Sequence, residues 1–298
     1  MATPAIETAQ HPECPERLDA IRDRLIASGL DAYLQFHDAP LADDAQLERA
    51  HTRSYIAQIN RQRPTQGIVH LDADTAMCPS TWSAALRSAG AGCLATDLVM
   101  RGDAASAFCA VRPPGHHATR DRAMGFCFFN NVAVAARHAL EAWNLERVAI
   151  VDFDVHHGNG TEDVFSGDDR VLMVSIFQHP FYPYSGTENP AANMCNVPVA
   201  AGTRGEEFRA IVSDIWLPRL RAFQPQMIFI SAGFDAHYED DMASLGLLES
   251  DYAFVTEQVM QVASESAQGR IVSMLEGGYA LSALGRSAAV HIKTLAGL

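Results

Sequence analysis

The stretch RVAIVDFDVHHGNGTEDVF (147–165) decides how this chain is read. It opens as an apolar, β-branched run, Val148-Ala149-Ile150-Val151, then turns abruptly polar at Asp152, Asp154, His156 and His157. A short apolar run of this kind predicts a buried strand. Continued in extended form, the chain would alternate faces. Asp152, Asp154 and His156 would then point one way and His157 the other. Carboxylates gathered that closely repel one another unless something positive lies between them.

The same pattern recurs on either side. Short apolar runs at 107–111, 171–176, 227–231 and 270–275 read as further strands. Between them, residues 80–100, 131–144, 205–222, 251–265 and 280–295 read as helices, as does 15–28, with Leu18, Ile21 and Leu25 on one face and Gly29 as its stop. Strands alternating with helices predict an α/β fold: an open, mainly parallel sheet sandwiched by helices, in a single domain spanning 1–298. The polar clusters then share one position. Asp152 to His157, Ser175-Ile176, Ser231 to Asp235 and Glu276 to Tyr279 all follow predicted strands. In open α/β sheets ligands bind at that carboxyl edge.

Two carboxylates and a neutral imidazole suit zinc, with a coordination position left for water. Asp154 and His156 are the local pair, and Asp235 is the best-placed third ligand. Two oxygens and one nitrogen also suit Fe²⁺. The plainer alternative makes Asp154 and Asp235 helix N-caps or turn residues. Asp152 would orient a neighbouring histidine, or help hold a second, harder cation together with Ser175 and the Ile176 carbonyl. A structural hydrogen bond to the strand-end backbone is the competing role.

Residues 112–118, RPPGHHA, carry a second tandem pair, His116 and His117, on a turn stiffened by prolines. Imidazole can take a proton from water and give it to a leaving amine near neutral pH. Tyr279, after Gly277-Gly278, could donate to a developing oxyanion. Among loop aromatics, Phe126 in GFCFFN and Tyr182 in FYPY are the candidates for channel walls.

Bulk properties narrow the class. The 298 residues are 48% hydrophobic, enough for a sizeable core. The formal net charge is −14 and no basic stretch stands out, which argues against direct nucleic-acid binding and suits a cationic substrate. No run of 18 apolar residues occurs, so no membrane span is expected. The opening MATPAIETAQ lacks the basic start and apolar stretch of a signal peptide. The cysteines (Cys14, Cys78, Cys93, Cys109, Cys127 and Cys195) are scattered without a CxxC pair. They read as reduced thiols of a cytoplasmic protein.

Six segments together resemble the histone deacetylase family, which includes acetylpolyamine amidohydrolases and the acetoin-utilisation proteins. They are HPECPERL (11–18), RPPGHHA (112–118), GFCFFNN (125–131), VDFDVHHGNGT (151–161), SAGFDAH (231–237) and LEGGY (275–279), in the family's order over nearly the whole chain. The resemblance implies the arginase/deacetylase fold and zinc held by Asp154, His156 and Asp235. It implies His117 as general base and acid, His116 paired with Asp152 as the second histidine, and Tyr279 as the residue that polarises the acyl carbonyl. It also implies K⁺ at Asp152, Asp154, His156, Ser175 and Ile176, and a channel lined by Gly125, Phe126, Tyr182 and Met242. The expected activity is removal of acetyl or related acyl groups from lysine in protein or peptide, with an acetylated polyamine or other small amide as the alternative.

Three departures from the family pattern bear on this. Asn159 follows class II members, where class I members carry Asp, so the His117 ring should be less basic. Only ten residues precede His11, and they do not read as the family's opening strand, so a shortened start and a more open pocket are expected. Met242 stands where the polyamine-selective members have a glutamate, although Glu239, Asp240 and Asp241 nearby would form either an acidic rim or a solvated turn. Two further readings compete with this one. An arginase-like two-manganese enzyme leaves Tyr279 and RPPGHHA unexplained. A non-catalytic acyl-lysine binder should have lost a ligand, the base or the tyrosine. The sequence is compatible with a homo-oligomer.

Overall fold

A computed structural model describes residues 11–298; the expectations about residues 1–10 lie outside the described residues. In chain order the helices are α1 (Glu16–Ala27), α2 (Asp44–Glu48), α3 (Arg53–Arg61), α4 (Thr81–Arg101), α5 (Asn131–Ala142), α6 (Asn159–Phe165), α7 (Gly205–Ile211), α8 (Leu217–Phe223), α9 (Glu249–Ser266) and α10 (Leu281–Leu295). The strands are β1 (Val69–His70), β2 (Ala76–Met77), β3 (Ser106–Cys109), β4 (Val148–Asp152), β5 (Val171–Gln178), β6 (Met194–Val199), β7 (Met227–Ala232) and β8 (Ile271–Leu275).

Strands β3 to β8 form a six-stranded sheet in the order β3-β8-β7-β4-β5-β6, with every neighbouring pair parallel. β1 and β2 form a separate antiparallel ribbon. From β4 the chain steps outward to β6. It then returns to β7 on the other side of β4 and continues to β8. The order therefore reverses between β4 and β7, and at such a reversal the loops leaving two neighbouring strands part and open a crevice.

The strand residues explain the layering. In β4, Ala149 and Val151 join one apolar cluster with α1, α9 and α10, while Val148 and Ile150 join another with α4 and α5. β7 divides the same way, Ile228 and Ile230 against Met227 and Phe229. A sheet with both faces covered needs apolar residues at every position, and β4, β5, β7 and β8 are buried throughout. Among the described residues, no helix is long and apolar enough to cross a membrane.

The predicted strands are present, with ends shifted by one or two residues. β6 escaped the pattern because MCNVPV mixes polar residues and a proline into six positions. The short helices α2, α3 and α6 escaped it because they span too few turns to show a period. The predicted helix 205–222 is interrupted by a π-helical turn, Val212–Trp216, just before Pro218. A proline lacks the N–H that would continue the regular ladder, and a wider turn absorbs the gap.

Candidate active site

The crevice between β4 and β7 gathers Asp154, His156 and Asp235, whose ligating atoms all lie within 4.8 Å of one another. His156 Nδ1 stands 3.0 Å from Asp154 Oδ1 and 3.2 Å from Asp235 Oδ2. Local turns bring them there rather than continued strand alternation. β4 ends at Asp152, whose Oδ1 accepts the Asp154 N–H at 3.1 Å; Asp154 Oδ1 in turn accepts the His156 N–H at 2.8 Å. Side chains that bond the backbone two residues on fold a chain into such turns. His157 points away: its Nε2 bonds Glu162 at 2.6 Å and its ring packs on Phe177.

These three side chains fit a metal. Asp235 Oδ2 is buried and accepts no hydrogen bond, although His156 Nδ1 stands 3.2 Å away as an ion-pair neighbour. Burial and the adjacent Asp154 charge push the Asp235 carboxyl up to about 6, the response of a carboxylate crowded by another. Backbone approaches them where only glycine fits. A Cβ on Gly277 would lie 2.0 Å from Asp235 Oδ2, and one on Gly233 2.1 Å from Asp154 Oδ2. The remaining oxygens are engaged, Asp235 Oδ1 by the Val155 N–H at 3.0 Å and Asp154 Oδ2 by the Gly277 N–H at 2.8 Å. Ser175 lies opposite Asp152 in the β4–β5 ladder, with its hydroxyl on Asn196 and Ile176 beside it. The residues expected to hold a second cation are thus neighbours of the triad on the same sheet edge.

The tandem histidines are backed differently. His116 Nδ1 bonds Asp152 Oδ2 at 3.0 Å, and His117 Nδ1 bonds Asn159 Oδ1 at 2.8 Å. Burial opposes charge on His116, but Asp154 and Asp152 outweigh it and carry the ring up to about 10. His117 goes the other way. Burial and the neighbouring His116 and His156 rings hold it well below the ordinary histidine value. Because the Asn159 oxygen accepts, His117 Nδ1 carries the hydrogen and Nε2 keeps its lone pair.

Against His156 lies a cavity of about 130 Å³, lined also by His116, His117 and Tyr279. The four expected channel residues, Gly125, Phe126, Tyr182 and Met242, all line it. Tyr182 meets His117 edge-on at 5.1 Å, and Phe126 meets Tyr279 at 6.0 Å between ring centres. Gly125 is required where it stands: at φ +56 a Cβ would lie 2.4 Å from His117 Cδ2. Burial holds the Tyr279 hydroxyl protonated, well above the ordinary tyrosine value.

Sequence reasoning missed several residues of this region. Phe181, next to the chosen Tyr182, stacks on His156 at 5.5 Å. Asp74 lines the cavity, and Thr75 beside it accepts the Phe126 N–H at 3.1 Å. Glu276 is buried, raised to about 7 by that burial, and accepts the Gly115 and His116 N–H groups at 2.7 and 3.1 Å. Arg17 reaches the Gly278 and Glu276 carbonyls at 2.6 and 2.5 Å. Arg17 and Glu276 stood inside quoted motifs but carried no assigned role. The acidic rim is mostly consumed: Glu239 pairs with Arg286 at 2.5 Å and Asp240 is buried, which leaves Asp241 exposed.

Residues 11–295 match the model of the histone deacetylase domain. The chain is 38% identical over 278 residues to the histone deacetylase-like amidohydrolase of Pseudomonas aeruginosa, covering 91% of this chain and 73% of that protein. It is 35% identical to a probable deacetylase of Archaeoglobus fulgidus, over 92% of this chain and 78% of the other. The crystal structure of the HDA15 HD domain superimposes with a TM-score of 0.91 at 32% identity, covering 98% of this chain and 87% of that one.

Proposed function

The chain belongs to the histone deacetylase family and has its arginase/deacetylase fold, and from that premise we propose that it removes acetyl or related acyl groups from lysine side chains in proteins or peptides, with Zn²⁺ as its metal. The observation that carries this reading is the buried Asp235 Oδ2, which accepts no hydrogen bond and is grouped with Asp154 and His156, while His156 lines a cavity that His117 and Tyr279 also line.

Asp154, His156 and Asp235 would hold the ion. When bound, it supplies Lewis-acid polarisation of the amide carbonyl and acidifies water. The chain's own residues do the rest. His117 Nε2, unprotonated at neutral pH, accepts the proton of the attacking water and then hands it to the departing amine nitrogen. Asn159 holds the tautomer that leaves Nε2 free. His116, bonded through Nδ1 to Asp152, would stabilise negative charge as it forms nearby. The Tyr279 hydroxyl donates to the oxygen of the acyl group as it becomes an oxyanion. K⁺ would sit at Asp152, Asp154, His156, Ser175 and Ile176. Fe²⁺ suits the same three ligands as zinc.

An acetylated polyamine or another small amide is the alternative substrate. Met242 on the wall, and the engagement of Glu239 and Asp240 elsewhere, weigh against a site built for a polyamine cation. A cytoplasmic location suits the unpaired cysteines. The decisive test pairs metal analysis with kcat/KM on an acetyl-lysine peptide and on N-acetylputrescine. A near-stoichiometric divalent ion and a clear preference for the peptide are expected. Absence of any divalent ion, with no amidase activity on adding Zn²⁺, would overturn the proposal.

A further inference from the structure

Asp240 is only 5% exposed, yet it belongs to neither the metal triad nor an acidic rim. Its carboxylate is bonded to main-chain N–H groups in two separate loops. Oδ2 accepts from Tyr279 at 2.6 Å and from Ala280 at 2.9 Å, and Oδ1 accepts from Met242 at 3.0 Å. Tyr279 and Ala280 lead directly into α10, and Ala280, at its N-cap, provides no side-chain cap. Asp240 therefore supplies from a distance the acceptor that a helix start requires, with a charge suited to the positive end of a 15-residue helix. The turn before Tyr279 could not hold itself. Gly278 has φ +118, and Gly277 precedes it, so the local backbone has little stiffness of its own. Arg17 grips the carbonyls of Glu276 and Gly278 on one side, and Asp240 grips the following N–H groups on the other. The loop that carries Asp240 is itself anchored to α10: Arg286 reaches both Glu239 and Glu249 at 2.5 Å.

We propose that Asp240 is a positioning residue for the reaction. Its carboxylate fixes the peptide that aims the Tyr279 hydroxyl, and by holding the Met242 N–H it ties that aim to the channel wall. The oxyanion donor and the wall then move as one unit. The kinetic part of this inference rests on the deacetylase reading; the structural part does not. A misplaced donor group costs up to about 10²-fold even when the chemistry is intact.

The test compares Asp240→Ala, Asp240→Asn, Tyr279→Phe and the Asp240→Ala/Tyr279→Phe double variant. We expect Asp240→Ala to lower kcat about 10–100-fold, with KM within about threefold and bound metal unchanged. Asp240→Asn keeps an acceptor oxygen and should fall between Ala and wild type. In the Tyr279→Phe background, loss of Asp240 should cost less than about twofold more, because the group it aims is already gone. Amide hydrogen exchange should quicken at Tyr279 and Ala280 in Asp240→Ala and stay unchanged along β8. Unchanged exchange at those two amides would overturn the inference, as would full, independent losses in the double variant, or loosening that spreads through β8. If the wild-type protein hydrolyses no acyl amide, the deacetylase reading fails, and the exchange result alone decides the role of Asp240.

Discussion

The floor and the walls of the cavity are built by different means. The floor, Asp152 to His156 with Asp235, rises from the ends of two buried central strands, and each of its three aspartates has a carboxylate oxygen fixed by a backbone N–H, that of Asp154, His156 or Val155. The walls, Phe126, Phe181, Tyr182 and Met242, come from loops and meet mainly through ring edges and faces. Phe126 even holds φ +66, a region that favours glycine. The contrast separates two tasks. The proposed metal ligands need fixed geometry and follow directly on central strands, whereas selectivity among substrates is left to loops that can vary.

Substitutions should therefore cost most at the floor. Asp235→Ala removes a proposed ligand and leaves Asp154 and His156 as a pair. Bound metal should drop from near-stoichiometric to trace, and activity should fall by far more than the roughly 10–100-fold that loss of a supporting partner costs. Elemental analysis and kcat/KM on one sample check both. His117→Ala should cost on the order of 10²–10⁴ in kcat with metal retained. Equal loss of metal would mean that His117 belongs to the metal-binding shell, and would blur the comparison. Tyr279→Phe, at the boundary between floor and wall, should cost about 10²–10³ in kcat.

Asn159→Asp sharpens the comparison at the proposed base, His117. His117 acts as a base only when neutral, and its depressed pKa puts the acid limb of the pH profile below the ordinary histidine value. A carboxylate behind the ring favours its charged form and raises that pKa. The acid limb of kcat/KM should then move to higher pH, so that activity is lost earlier on acidification. An unmoved limb would mean that another group sets it. Met242→Ala, on the wall, should have the smallest effect, a change in KM of about tenfold or less with kcat nearly unchanged. A large fall in kcat there would erase the division between floor and wall.

The floor was also the more legible region. Asp154, His156 and Asp235 stand at abrupt apolar-to-polar switches, and such switches are visible in a single sequence. Even so, alternation along an extended strand explains only the approach to Asp152, because the turns beyond it arise from Asp side chains bonding their own backbone. The supports were not legible. Arg17 bonds Gly278 across 261 positions, and Glu276 bonds Gly115 across 161. A carboxylate or guanidinium that meets a distant main-chain group leaves no periodic trace. Asp240 read as one of three acidic residues in a turn, because only the folded chain shows which of them faces inward. The walls fell between: Tyr182 was chosen from FYPY and Phe181 passed over, since aromatic residues on a loop carry no mark of direction.

Pro198 has a consequence beyond local geometry. β6 is an edge of the sheet, and Pro198 is exposed on it. The carbonyls of Asn193 and Val199 accept from Met173 and His179 on the β5 side, so odd-numbered residues face inward and Pro198 faces out. The N–H it lacks is one that a strand from another molecule would use. An open edge with a full row of donors invites sheet-to-sheet growth between copies of a chain. Pro198 breaks that row without costing β5 a bond. The residue that hid this strand from sequence reading thus also removes a donor that pairing along that edge would use.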